Sequence, residues 1–138
     1  MTDIFFLDAC ALIAILAGET GSEKIRYIIQ EAIDGKVVLK MNQINLLEVY
    51  YHVCNVYNQD EADKAMEIIR LFPIEINHGL SESKFREAGR IKSVYKVPLG
   101  DSIAVSECIM ENGILLTSDH NDFEKLRNSE NIRINWFR

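Results

Sequence analysis

Hydrophobic positions along the chain follow two different periods. The runs Ile4 to Leu7, Val37 to Leu39, Ile74 to Ile76, Ile114 to Thr117 and Ile132 to Trp136 are short and rich in β-branched or aromatic residues, and each is read as a strand. Between them the spacing turns helical. Ile25, Ile28, Ile29, Ala32 and Ile33 share one face of a helix that Thr20-Gly21-Ser22-Glu23 opens and Gly35 stops. Further helices are expected from about Ala11, from Asn42 onward around Glu48, over Ala62 to Leu71 after Asp60, and from Ser81 to about Tyr95. One more begins at Asp101, after the break Pro98-Leu99-Gly100, and ends at Gly113; a short helix follows a loop from Ser118 to Asp122. Strands separated by helices predict an α/β fold with a parallel sheet covered on both faces, because parallel neighbours need long crossovers.

Composition narrows the class. At 138 residues and 48% hydrophobic, the chain is expected to form one domain, residues 1–138, with a sizeable core. Fifteen Lys and Arg against 21 Asp and Glu give a net charge of −6, so any nucleic-acid contact must be local. Cys10, Cys54 and Cys108 are odd in number and lack CxxC spacing, which argues against a disulfide framework and for a reducing compartment. No cleavable leader pattern opens the chain, and its longest apolar run falls short of the roughly 18 residues of a membrane span, so a cytoplasmic location is expected.

The acids supply the chemistry. Asp8 interrupts the apolar stretch IFFLDACALIAIL, where an unpaired charge costs several kcal/mol. In open α/β sheets, sites form outside the carboxyl ends of the strands. Asp8 follows the first strand, Asp101 heads the helix after Pro98, and Asp119 follows the strand ending at Thr117, with Asp122 three residues on. Glu48 lies within the mostly apolar stretch NLLEVYYHV. Each has a plain alternative. Asp8 and Asp101 could cap helices, Asp119 or Asp122 could form an Asx turn, and Glu48 could reach water over a covered stem. Their joint arrangement favours convergence. Carboxylates about 5 Å apart repel by roughly 1 kcal/mol in water and about 3 at an effective dielectric of 20, so protonation or a divalent cation must neutralise them. An all-oxygen donor set without a Cys or His cluster points to Mg²⁺ or Mn²⁺, and Mg²⁺ commonly shares its shell with a phosphate. A phosphate-bearing substrate is therefore expected.

The motifs FLDACALIA around Asp8, NLLEVYY around Glu48 and LGDSIAVSECIMENGILLTSDHNDF carrying Asp101, Asp119 and Asp122 resemble those of the PIN-domain ribonucleases, most closely the VapC-like toxins of bacterial and archaeal toxin–antitoxin pairs. The resemblance spans essentially the whole chain. It implies a three-layer α/β/α PIN-like domain with a central parallel sheet of four to five strands. It also implies an acidic metal site of Asp8, Glu48, Asp101 and Asp119, with Asp122 as an auxiliary ligand and Thr117 as a supporting hydroxyl. Catalytic roles fall to Asp8, Glu48, Asp101 and Asp119, and metal ligation to Asp8, Asp101, Asp119 and Asp122. One departure stands out: Cys10 occupies a position where the family commonly has Ser or Thr, and a thiol is the poorer donor for supporting Asp8.

The implied chemistry is hydrolysis of RNA phosphodiester bonds assisted by Mg²⁺ or Mn²⁺, leaving 5′-phosphate and 3′-hydroxyl ends, with Glu48 or Asp119 a possible base for the attacking water. The stretch from Lys84 to Lys96 carries Lys84, Arg86, Arg90, Lys92 and Lys96 against Glu87 alone, and is either an RNA contact or a solvated helix face. Tyr50, Tyr51, Tyr57 and Tyr95 are expected in core or interface rather than stacked on bases, and His120 in an exposed loop. Apolar stretches Ile25 to Ile33 and Leu46 to Val56 leave surplus surface for a homodimer or a cognate antitoxin. The rival readings are a housekeeping PIN nuclease without an antitoxin and a catalytically weak PIN-fold module that binds RNA or protein. A haloacid-dehalogenase-type phosphatase would want a second Asp at the place of Cys10, and a receiver domain an acid pair before its acceptor strand; neither pattern is present.

Overall fold

The computed structural model describes residues 2–138. The elements follow in the order β1 (Asp3–Leu7), α1 (Ala9–Ala17), α2 (Ser22–Ile33), β2 (Val37–Asn42), α3 (Gln43–Val56) and α4 (Gln59–Ile69). The second half adds β3 (Ile74–Asn77), α5 (Glu82–Tyr95), α6 (Leu99–Glu111), β4 (Ile114–Thr117), α7 (His120–Ser129) and β5 (Arg133–Trp136). The five strands form one parallel sheet in the order β3-β2-β1-β4-β5. The most apolar strand, β1, lies at its centre, as burial on both faces requires.

Successive strand side chains point to opposite faces, and two cores result. Phe5, Leu7, Leu39, Met41 and Leu116 pack with Leu12, Ile25, Val49 and Ile69 from α1 to α4. Phe6 and Leu115 pack on the other face with Ile91, Val105, Phe123 and Leu126 from α5 to α7. The expected three-layer α/β/α arrangement is thus realised, with five strands. Since β2 lies on one side of β1 and β4 on the other, the order of winding reverses between β1 and β4, the point at which parallel sheets form a crevice at the strands' carboxyl ends. No helix among the described residues is long and apolar enough to cross a membrane.

Several boundaries differ from the sequence expectation for local reasons. Helix α1 begins at Ala9, directly after Asp8, whose side chain caps it. Strand β2 continues beyond Leu39 to Asn42, because Met41 is buried and Asn42 then caps α3 by accepting from the Asn45 N–H. Helix α6 begins at Leu99 with Pro98 at the cap position and no side-chain cap, so Asp101 sits inside the first turn and is free of capping duty. Helix α7 begins at His120, which shortens the preceding loop and puts Asp122 in the helix's first turn.

Candidate active site

Asp8 stands at the end of the central strand, 4% exposed. Its Oδ1 accepts from the Ala9 N–H at 2.8 Å, and its Oδ2 accepts from Thr117 Oγ1 at 2.9 Å and from Cys10 Sγ at 3.3 Å. Burial nevertheless outweighs these donors and holds its carboxyl above the usual carboxylate range. Thr117, at the end of β4 and fully buried, works in two directions, since its Oγ1 also accepts from the Asp119 N–H at 3.0 Å. One hydroxyl therefore ties the ends of β1 and β4 to the start of α7. Cys10 completes this corner by contacting Thr117 Oγ1 at 3.4 Å and accepting from the Ser118 N–H. Burial, with the charge of Asp8, pushes its thiol up to about 12, so it stays a neutral donor and no thiolate nucleophile forms.

Asp101, Asp119 and Asp122 each offer a carboxylate oxygen within 4.8 Å of the other two. Two helices supply them: Asp101 enters from the first turn of α6, while Asp119 caps α7 by accepting from the Asp122 N–H at 3.1 Å. Asp101 is 5% exposed. Burial first, then hydrogen bonding to Asp122 and the charges of Asp8, Asp122 and Asp119, raises its carboxyl far above the ordinary value. Asp122 moves the opposite way, held down by the hydrogen bond from Asp101. Opposite directions at Asp101 and Asp122 are the response expected of two crowded acids, with Lys125 the cation of the chain that favours the ionised form of Asp122. Asp119 is raised by burial and by Asp122.

Glu48 reaches the same crevice from α3. It is half-buried, and loss of solvent together with the charge of Asp8 pushes its carboxyl up to about 7. Its approach depends on Gly100. A Cβ built there would overlap Glu48 Oε1 and come within 2.5 Å of Asn45 Oδ1, so glycine lets the start of α6 lie against α3. The site therefore brings Asp8, Glu48, Asp101, Asp119 and Asp122 to one end of the sheet, with Asp122 a full member of the tightest group. The donors are hard oxygens on converging elements, a set that fits Mg²⁺ or Mn²⁺. Asn45, fully buried one turn before Glu48, is the residue that sequence reasoning misses. Its i, i+3 spacing from Glu48 was the available signal.

The basic stretch is placed less openly than its sequence implies. Lys84 pairs with Glu111 at 2.5 Å, Arg86 with Glu82 at 2.9 Å, and Arg90 with both Glu87 and Glu130. Lys92 donates to the Val97 carbonyl, and of the five only Lys96 is exposed with a side chain that has neither a hydrogen-bond nor an ion-pair partner among the described residues. Two tyrosines expected in core or interface face solvent in the chain: Tyr51 and Tyr57 are 52% and 69% exposed, while Tyr50 bonds Asp63 and Tyr95 bonds Glu130. His120 is exposed as expected, but it opens α7, stacks on Trp136 and bonds Glu124 and the Arg138 carbonyl. Away from the acids, a groove of about 410 Å³ runs between α1, α3 and α4, with Ile13, Leu16, Val53, Val56 and Ile68 among its walls.

A family model for the PIN domain matches residues 5–128. No curated protein matches the chain. Among solved structures the chain is similar to VapBC2 from Rickettsia felis, bound to a DNA fragment from its promoter, at 15% identity and a TM-score of 0.71, covering 96% of this chain and 97% of that one. It is similar to VapBC-1 from nontypeable Haemophilus influenzae at 17% identity and a TM-score of 0.69, covering 97% and 98%. A third likeness is to VapC20 of Mycobacterium tuberculosis, described as a toxin that cleaves the sarcin-ricin loop, at 10% identity and a TM-score of 0.61, covering 80% and 86%. At these identities the likeness is one of fold.

Proposed function

The chain belongs to the PIN-domain family, and on that basis we propose that it is an endoribonuclease dependent on Mg²⁺ or Mn²⁺, acting on single-stranded or structured RNA as the toxin of a toxin–antitoxin pair. The observation that carries the reading is the meeting of Asp101, Asp119 and Asp122 within 4.8 Å, at the sheet end where Asp8 and Glu48 also lie. Asp8, Asp101, Asp119 and Asp122 would hold the cation, with Glu48 completing the acidic metal site. A divalent cation there supplies a Lewis acid for the phosphoryl oxygens and a water of lowered pKa for in-line attack. The chain's own contribution is orientation. Thr117 and Cys10 fix Asp8, Thr117 also fixes the start of α7, and Gly100 admits Glu48 beside the aspartates. Glu48, a carboxylate beside the aspartates that a bound cation would keep ionised, is the assigned base for the attacking water.

Lys96, exposed and five residues before Asp101, is the assigned phosphate contact of the basic stretch, because the other four cations already have partners. The groove between α1, α3 and α4 is assigned to a cognate antitoxin; the structural neighbours named as VapBC complexes support this partner. A homodimer in the cytoplasm completes the proposal. The decisive experiment incubates the protein with a panel of single-stranded and structured RNAs in Mg²⁺, in Mn²⁺ and in EDTA. Cleavage is expected only with a cation, and Asp101→Asn should reduce it by roughly 10²–10³-fold, the usual cost of losing one group that stabilises developing charge. RNA left equally intact by the protein and the variant across the panel would overturn the proposal.

A further inference from the structure

Asn45 is fully buried, and neither its Nδ2 nor its Oδ1 has a hydrogen-bond partner among the described residues. Buried amides are nearly always satisfied, so the exception asks for a cause. Capping does not supply one: the cap of α3 is Asn42, whose Oδ1 accepts from the Asn45 backbone N–H at 2.8 Å, leaving the Asn45 side chain without a local task. Its surroundings are specific. It lies one turn before Glu48 on the same side of α3, and the Cβ that Gly100 lacks would meet both Asn45 Oδ1 and Glu48 Oε1. Gly100 is in the first turn of α6, which has no side-chain cap, and the first N–H groups of a helix have no intrahelical acceptor. An unsatisfied amide, an uncapped helix start and a carboxylate thus share one corner, directly before Asp101.

We propose that Asn45 is a positioning residue of the carboxylate site, whose buried amide is held in reserve for Glu48 and the amino end of α6 and so steadies Glu48 for cation binding. Asparagine suits this because it donates and accepts at once without adding a further charge to the acids. A residue that acts through a neighbour in this way commonly alters cation affinity by 10- to 100-fold. The inference rests on the function proposed above, and its test separates the two.

Mn²⁺ binding is measured by electron paramagnetic resonance, without RNA, for the protein and for Asn45→Leu and Asn45→Ser. Asn45→Leu is expected to weaken Mn²⁺ binding about tenfold while leaving the melting temperature in EDTA unchanged or raised, because an apolar group of similar size replaces an unsatisfied amide. Asn45→Ser, which keeps a hydroxyl able to donate and accept, should fall between. In the unsubstituted protein, the Asn45 side-chain amide resonances should shift on saturation with Mg²⁺, a readout that needs no variant to fold. Equal Mn²⁺ affinity in a folded Asn45→Leu, or amide resonances that ignore Mg²⁺, would overturn this inference alone. Failure of the unsubstituted protein to bind Mn²⁺ would overturn the nuclease proposal and this inference with it.

Discussion

Helix α6 carries acids at both ends, and the fold treats them in opposite ways. Toward its carboxyl end, Glu107 is 1% exposed, yet its two oxygens accept from Asn42 Nδ2 at 3.2 Å and Asn77 Nδ2 at 2.7 Å. One turn later Glu111 takes Lys40 at 2.8 Å and Lys84 at 2.5 Å; burial works against it, but the two ammonium groups hold its carboxyl below the ordinary value. At the amino end, Asp101 is 5% exposed and its titratable neighbours are other carboxyl groups. Burial is therefore nearly equal at Glu107 and Asp101, and what differs is the partner. This chain builds amides and ammonium groups around a buried acid where the acid only joins elements, pinning α6 to β2, β3 and α5. Where Asp101 meets α7 the charges acting on it are all carboxyl groups, and Lys125 acts on Asp122 alone; that shortfall of counter-charge is the physical case for a cation.

The contrast can be broken at either end, and the largest effect should appear at Glu107. Glu107→Gln turns one acceptor oxygen into a donor facing an asparagine amide that already donates, which leaves a buried donor unmatched. A loss of about 1–3 kcal/mol is expected, roughly 3–12 °C in melting temperature. Asp101→Asn, at similar burial, removes a crowded acid and should leave the melting temperature in EDTA unchanged or higher. Thermal unfolding of both variants in EDTA checks the pair; losses of equal size would mean that the two ends of α6 do not differ in kind.

These partners also mark what the sequence made legible. Strand-end acids were readable, because Asp8 follows its apolar run directly and Asp119 comes two residues after the strand ending at Thr117, and the rule for open parallel sheets needs only that order. The alternation of strands and helices was readable for the same reason, as periodicity is local. Asp101 was visible as an acid after a Pro-Gly break, but its freedom from capping was not, since Pro98 rather than Asp101 turned out to start the helix. Charge in the stretch from Lys84 to Lys96 misled in the other direction. Counting along the chain finds Glu87 alone, whereas Glu82 lies just before the stretch and Glu111 and Glu130 arrive from α6 and the end of α7. Glu107 carries no sequence mark and Asn45 only its i, i+3 spacing from Glu48, because each is defined by what tertiary packing sets against it.

A smaller effect should separate the two regions by pH. Glu48 is raised from 4.5 to about 7 by burial and Asp8, so the folded chain holds its proton more tightly than the unfolded chain. Its contribution to stability is therefore complete below about pH 4.5 and is lost as pH rises through 7. Asp8, Asp101 and Asp119 are raised in the same direction. Because Glu48 is half-exposed, its share is screened to about 1 kcal/mol. In EDTA the melting temperature should fall between pH 5 and 8, and saturating Mg²⁺ should flatten or reverse the decline, since a cation binds the ionised acids. A profile identical with and without Mg²⁺ would remove the cation from the explanation of this cluster.

The smallest effect is expected at Cys10, where the site departs from the hydroxyl that its family commonly carries. The thiol donates to Asp8 Oδ2 at 3.3 Å, but Thr117 Oγ1 already donates to the same oxygen at 2.9 Å, so the stronger of the two supports is present without it. Cys10→Ser offers a better donor to Asp8 and gives up some of the longer reach with which sulfur also meets the Ser118 N–H. The two changes oppose each other, and a net shift of no more than about 0.5 kcal/mol in stability is expected, against about 1 kcal/mol or more for Thr117→Val, which strips the bridge between Asp8 and the Asp119 N–H. Side-by-side melting curves and cleavage rates for the two variants test the ranking. If Cys10→Ser proved the more damaging, sulfur itself, through size or polarisability, would be what holds Asp8 at the end of the central strand.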